Sequence, residues 1–197
     1  FLLMDMVERG LRGEANIALN RYLHARRNDG DLDALATLPL FMSLRAAIRA
    51  KVTAAKGASG DNAAAARAYF TLARRLLAPA APRLVAVGGL SGTGKSVLAA
   101  SLAAHILPEP GAVVIRSDVE RKALFGVAET KRLPASAYAP EHTARVYVRV
   151  AEHAARALQA GHSAITDAVF SRAEERAAIE AVARAASIPF HGLFLTA

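Results

Sequence analysis

Leu84-Val85-Ala86-Val87-Gly88-Gly89-Leu90-Ser91-Gly92-Thr93-Gly94-Lys95-Ser96 is the stretch on which the fold turns. Its four opening apolar residues, closed by glycines, read as a buried parallel strand. Gly89 to Ser96 fits the pattern G-x-x-x-x-G-K-[ST] in full. Val97 to Leu107 reads as a helix that stops at Pro108. Gly88, Gly89, Gly92 and Gly94 permit turns that a Cβ would block, so that backbone N–H groups can converge on phosphate oxygens. The positive end of the following helix adds roughly half a unit charge at the same point. Lys95 is placed to reach the β- and γ-phosphates, and the Ser96 hydroxyl to ligate Mg2+. The expected cofactors are ATP and Mg2+, with Gly89, Leu90, Ser91, Gly92, Thr93, Gly94, Lys95, Ser96 and Val97 as the contact set.

Downstream, strands and helices alternate. Ala112–Ile115 and Ser163–Asp167 read as buried strands, Pro140–Ala160 as a long helix ended by Gly161, and Pro189–Leu195 as a fourth strand. Ser171 and Glu174 have the spacing of a capping box. Such alternation implies an α/β domain with a parallel sheet and right-handed crossovers.

Ligands of an open parallel sheet bind beyond the carboxyl ends of its strands, and two acids fall there. Asp167 closes the third strand and suits the metal. Asp118 follows the second and suits the acceptor side, as proton acceptor or substrate ligand. For each acid the alternative is a helix N-cap. Arg116, Arg121 and Lys122 flank Asp118 and are candidates for an anionic substrate or for solvated surface. Arg172 and Arg176 are candidates for phosphate contacts or for pairing with Glu175 and Glu180. The six histidines show no metal-ligand spacing and read as surface or packing residues.

Upstream of Pro82 the chain reads as helices. Ala15, Leu19, Tyr22 and Leu23 share one face; so do Phe41, Leu44, Ile48 and Val52, and again Ala65, Tyr69, Leu72 and Leu76. Gly57–Asp61 reads as a flexible connection, with Asp61 as N-cap.

The chain has 197 residues, 53% hydrophobic and 21% charged, enough for one α/β domain with an appendage and inconsistent with intrinsic disorder. The absence of cysteine excludes disulfides, thiolate metal sites and a cysteine nucleophile, and fits a cytoplasmic protein. No apolar run is long enough to span a membrane. Residue 1 is Phe rather than Met, so a longer parent protein is expected. The net charge of +8 divides into +5 over 1–82 (12 basic, 7 acidic) and +3 over 83–197 (13 basic, 10 acidic). With the excess spread evenly and only 6% aromatics, nucleic acid is not the expected partner.

Gly-Gly-Leu-Ser-Gly-Thr-Gly-Lys-Ser at 88–96, Arg-Ser-Asp-Val-Glu-Arg at 116–121 and Ile-Thr-Asp-Ala-Val-Phe at 165–170 make residues 83–197 resemble the small P-loop kinases related to gluconate kinase, chloramphenicol phosphotransferase and the zeta toxins. That group often goes under the heading of AAA-type ATP-binding domains. The resemblance implies a three-layer domain with strand order 2-3-1-4-5, whose lid, lid arginines and fifth strand would lie beyond Ala197. It also implies that Asp118 serves as substrate ligand or catalytic base. More loosely, Phe-Leu-Leu-Met-Asp at 1–5, Asn-Arg-Tyr-Leu at 20–23 and residues 40–52 make 1–57 similar to the helical C-terminal tail of aminoglycoside-phosphotransferase-like domains. The resemblance places 58–82 as a linker and connecting helix, with the phosphotransferase-like domain upstream in the same chain. The reaction it implies is transfer of the γ-phosphoryl of ATP to a small hydroxylated molecule. Lys95 and Asp118 would be the catalytic residues, Ser96 and Asp167 the metal ligands, and Asp118, Arg116 and Arg121 the substrate contacts. The alternative is a nucleotide-binding regulatory or ATPase module that controls the fused domain.

Overall fold

The computed structural model describes residues 1–57 and 60–196. Five helices come first: α1 (Leu2–Glu8), α2 (Arg12–Arg26), α3 (Asp29–Asp33), α4 (Leu38–Ala54) and α5 (Gly60–Leu77). Then follow β1 (Leu84–Gly89), α6 (Lys95–Ala103), β2 (Val113–Arg116), α7 (Ser117–Leu124), α8 (Pro140–Gln159), β3 (Ala164–Asp167), α9 (Ala173–Ala185) and β4 (Phe190–Leu195). The strands form one parallel sheet of order β2-β3-β1-β4, which agrees with the first four positions of the implied 2-3-1-4-5 order.

The pleat splits the strand residues between two faces. Val85, Val87, Val114 and Ile165 pack on Ala99 and Ala103 of α6. Leu84, Ala86, Val113, Ile115 and Ala164 pack on α8 and α9 through Val146, Val150, Ala154, Ile179 and Ala183. This is the three-layer α/β arrangement, and the helical segment joins it directly. Leu19 and Leu23 of α2 and Leu32 of α3 belong to the second of these cores. A separate apolar cluster binds α1, α4 and α5 together through Met4, Val7, Met42, Ala46, Tyr69, Leu72 and Leu76.

Several local expectations are corrected. Phe41, Leu44, Ile48 and Val52 lie on the exposed side of α4, from 44% to 57% accessible. The side of α4 that meets α5 carries Met42, Ser43, Ala46 and Ala50 instead. The small residues let the two helices approach closely enough for Ser43 Oγ to donate to the Ala73 carbonyl at 2.9 Å. Tyr22 and Ala65 are likewise exposed. Residues 58 and 59 of the expected connection lie outside the described residues; Asp61 falls within the first turn of α5 rather than capping it. At the start of α9, Glu175 rather than Glu174 folds back, accepting from the Arg172 N–H at 3.2 Å. The helix after the loop begins at Lys95 and ends at Ala103, earlier at both ends than expected. No helix among the described residues is long and apolar enough to cross a membrane.

Candidate active site

β1 ends in the loop, and α6 starts within it. Gly89, Gly92 and Gly94 hold φ values of +146°, +87° and +83°, which L side chains rarely adopt. At Gly89 a Cβ would also lie 2.8 Å from both the Leu195 carbonyl oxygen and Thr93 Oγ1. The Leu90 carbonyl ties the loop together, accepting from the Thr93 N–H at 3.4 Å, Thr93 Oγ1 at 2.9 Å and Lys95 Nζ at 2.9 Å. Among the described residues, the N–H groups of Ser91, Gly92, Gly94, Lys95 and Ser96 have no protein acceptor. That leaves five donors at the positive end of a helix, an anion-binding concavity. The Val97 N–H already bonds to the Gly94 carbonyl at 3.0 Å, so Val97 is the weakest member of the expected contact set.

Sheet order brings the carboxylate in. β3 lies between β1 and β2, with Asp167 in register with both Val87 and Arg116. Its side chain is only 4% exposed. Oδ2 accepts from Ser96 Oγ at 2.6 Å and from Arg116 Nε at 3.4 Å. The hydroxyl and the carboxylate expected to share Mg2+ are therefore adjacent. Two hard oxygen donors beside a phosphate cradle suit that ion, which keeps most of its shell for water and phosphate oxygens. Among the described residues, no group of three or more His, Asp or Glu side chains could hold a metal by itself.

Asp118 is the second residue of α7, whose N-cap is Arg116, so the capping role does not apply to it. Its carboxylate is half exposed and pairs with Lys122 Nζ at 3.0 Å. None of its hydrogen bonds or ion pairs reaches Lys95, Ser96 or Asp167. Arg121 is not solvated surface. It is buried, donates through Nη1 to the Ala137 carbonyl at 2.7 Å and to Thr143 Oγ1 at 3.2 Å, and lies over the Tyr138 ring at 4.8 Å. Its guanidinium organises the chain between α7 and α8, which corrects its reading as solvated surface. Arg176 bonds to the Phe170 and Ser171 carbonyls rather than to a carboxylate.

Two sets of contacts between the helical segment and the sheet domain escape sequence reasoning. Asn16, Asn20 and His24 of α2, at i, i+4 and i+8, complete the outer edge of β2. Asn16 Nδ2 donates to the Ala112 carbonyl at 3.0 Å, Asn20 Oδ1 accepts from the Val114 N–H at 2.7 Å, and His24 Nε2 is 2.9 Å from the Val114 carbonyl. Secondly, His153 on α8 lies between Glu120 (Nδ1 to Oε1, 3.0 Å) and Asp29 (Nε2 to Oδ1, 3.2 Å), and Arg149 also holds Glu120 at 3.2 Å. Burial alone would lower the His153 pKa, but the hydrogen bond and charge of Glu120, aided by Asp29, raise it above its ordinary value. Burial pushes the Glu120 pKa up, and the His153 and Arg149 contacts more than reverse this.

Fold and site together define a P-loop α/β domain. The chain belongs to the AAA domain family, whose profile matches residues 84–197. It is 33% identical over 183 residues to proteins of Mycobacterium tuberculosis and Mycobacterium bovis that are described as uncharacterized. The match covers 90% of this chain and 35% of theirs, so the chain spans about a third of the length of those relatives. Among solved structures, one of the Mycobacterium tuberculosis APS kinase in complex with AMPPNP and APS is 30% identical, covering 59% of this chain and 63% of that one with a TM-score of 0.45. A Chloroflexus aurantiacus structure is 20% identical over 59% of this chain and 60% of its own, with a TM-score of 0.47.

Proposed function

We propose that this chain binds ATP with Mg2+ at the loop of residues 89–96 and transfers the γ-phosphoryl group to a hydroxyl of a small molecule. The observation that carries the reading is the 2.6 Å contact of Ser96 Oγ with Asp167 Oδ2, beside loop N–H groups that have no acceptor among the described residues. When bound, Mg2+ would neutralise charge on the β- and γ-phosphate oxygens. The loop N–H groups orient the triphosphate, and Ser96 and Asp167 are the residues that would hold the ion. Lys95 leaves the Leu90 carbonyl to reach the phosphates. Asp118, at the acceptor side, takes the proton of the attacking hydroxyl. A bond forms between that oxygen and the γ-phosphorus, the bond from the γ-phosphorus to the bridging oxygen breaks, and the electron pair departs with ADP. Arg116 supports the same site, where its Asp167 contact leaves it within reach of transferring charge.

Phosphate transfer from labelled ATP to a panel of polyols, sugars and aminoglycosides tests this reading. Transfer to at least one acceptor, reduced about 100-fold or more in Lys95→Ala, is the expected result. Equal turnover in Lys95→Ala would contradict it. The second reading is a nucleotide-controlled module that regulates a phosphotransferase-like domain fused upstream. It is favoured by the direct bonding of α2 to β2, which couples the helical segment to the sheet. Phosphate release without any acceptor product would select it.

A further inference from the structure

The Asn16, Asn20 and His24 contacts fix how α2 is rotated on the edge of β2, and they turn its neighbouring face toward α6. Ile17 and Arg21 on that face, and Val97 and Ala100 on α6, are opposite walls of a groove of about 440 Å³, with Ser96 and Arg116 lining it as well. The volume suits a small molecule. Ser96 is thus shared between the groove and the expected metal position beside Asp167. The walls offer apolar surface for a carbon skeleton. The charged side chains of the lining are Arg21, Arg116 and Glu129; Arg116 is paired with Asp167 at 3.4 Å, and Glu129 faces His24 at 3.9 Å. Arg21 is exposed and takes part in none of the ion pairs among the described residues. The end of α2 also holds the segment after α7, since Arg27 donates to the Val127 carbonyl at 3.2 Å.

We propose that the groove between α2 and α6 binds a small hydroxylated molecule carrying an anionic group, with Arg21 as its anchoring cation. This rests on the phosphoryl-transfer reading, under which that molecule is the acceptor, its anionic group held in the groove and its hydroxyl extending past Arg116 toward Asp118, which does not itself line the groove. A guanidinium is suited to the task because it pairs bidentately with carboxylate or phosphate.

Amide chemical shifts of the full chain provide the test, recorded with glycerol against glycerol 3-phosphate, ribose against ribose 5-phosphate, and inorganic phosphate. The expected result is that an anionic member shifts Ile17, Arg21, Val97 and Ala100 and its neutral counterpart does not. Arg21→Glu should weaken that binding about tenfold or more, as should Ala100→Glu from the opposite wall, whereas Arg9→Glu should not. Shifts confined to residues 89–96, equal shifts from the neutral member, or binding indifferent to Arg21→Glu would overturn the proposal. Transfer from labelled ATP is scored separately. Groove shifts without transfer support the site and remove the kinase reading; transfer to a compound that leaves the groove unmoved supports the kinase reading and overturns the site.

Discussion

The Ser96 hydroxyl donates to Asp167 Oδ2 at 2.6 Å, joining the first turn of α6 to the tip of β3. Residues 71 positions apart in the chain thereby share one oxygen-lined corner. Asp167→Asn keeps the size of the side chain and removes its charge. It should move the Mg2+ activation curve to higher concentration and lower phosphoryl transfer by about 100-fold. An unchanged Mg2+ titration would remove Asp167 from the metal.

The loop glycines are not equivalent, and substitution separates them. At Gly89 an added Cβ meets the Leu195 carbonyl oxygen and Thr93 Oγ1 at 2.8 Å, in addition to the strain of its φ. At Gly92 nothing lies within 4 Å of the added atom, and only the backbone cost of about 1–2 kcal/mol remains. Gly89→Ala should therefore lower the thermal midpoint more than Gly92→Ala and abolish nucleotide binding. Equal losses in the two variants would contradict the packing.

Asn20 serves β2 as a neighbouring strand would, donating to Ala112 at 3.2 Å and accepting from Val114 at 2.7 Å. Asn20→Leu leaves the Val114 N–H buried without that partner, which costs about 1–3 kcal/mol in chemical denaturation. A loss well below this would mean that α2 does not close the sheet edge.

The His153 contacts give stability a pH signature. With carboxylates on both ring nitrogens the imidazolium is favoured, and the His153 pKa is raised from its ordinary 6.5. The stabilisation is complete below that value and is lost as pH climbs through the raised one. His162 acts in the opposite sense: burial lowers its pKa, so its contribution is full above 6.5 and lost as pH falls through the lowered value. Melting temperatures from pH 6.5 to 9 should fall in the parent chain and fall less steeply in His153→Gln. The same slope in both would show that the contact is not ionic.

How far the sequence could be read depended on whether the signal was local. The strand, loop and helix around Lys95 are contiguous, and their glycines are required by backbone geometry, so the motif carried its own context. Asp167 was legible because a carboxylate at a strand tip beside the motif strand has few other places to go. By contrast, Asn16, Asn20 and His24 look like any polar helix face until β2 is known to be an edge. The stripe of Phe41, Leu44, Ile48 and Val52 misled because periodicity identifies an apolar face but not the face that small residues allow α5 to approach. The charge of Arg121 leaves it open between an anionic substrate and solvated surface, and the carbonyl, hydroxyl and aromatic partners on a later segment that bury it are not visible in the sequence.

Calorimetric titration of the chain with ATP and Mg2+ is the most direct test of the phosphate cradle. Saturable one-to-one binding is expected, weakened about tenfold or more in Lys95→Ala with the melting temperature of the free chain preserved. Absence of saturable binding, or equal affinity in Lys95→Ala, would contradict it.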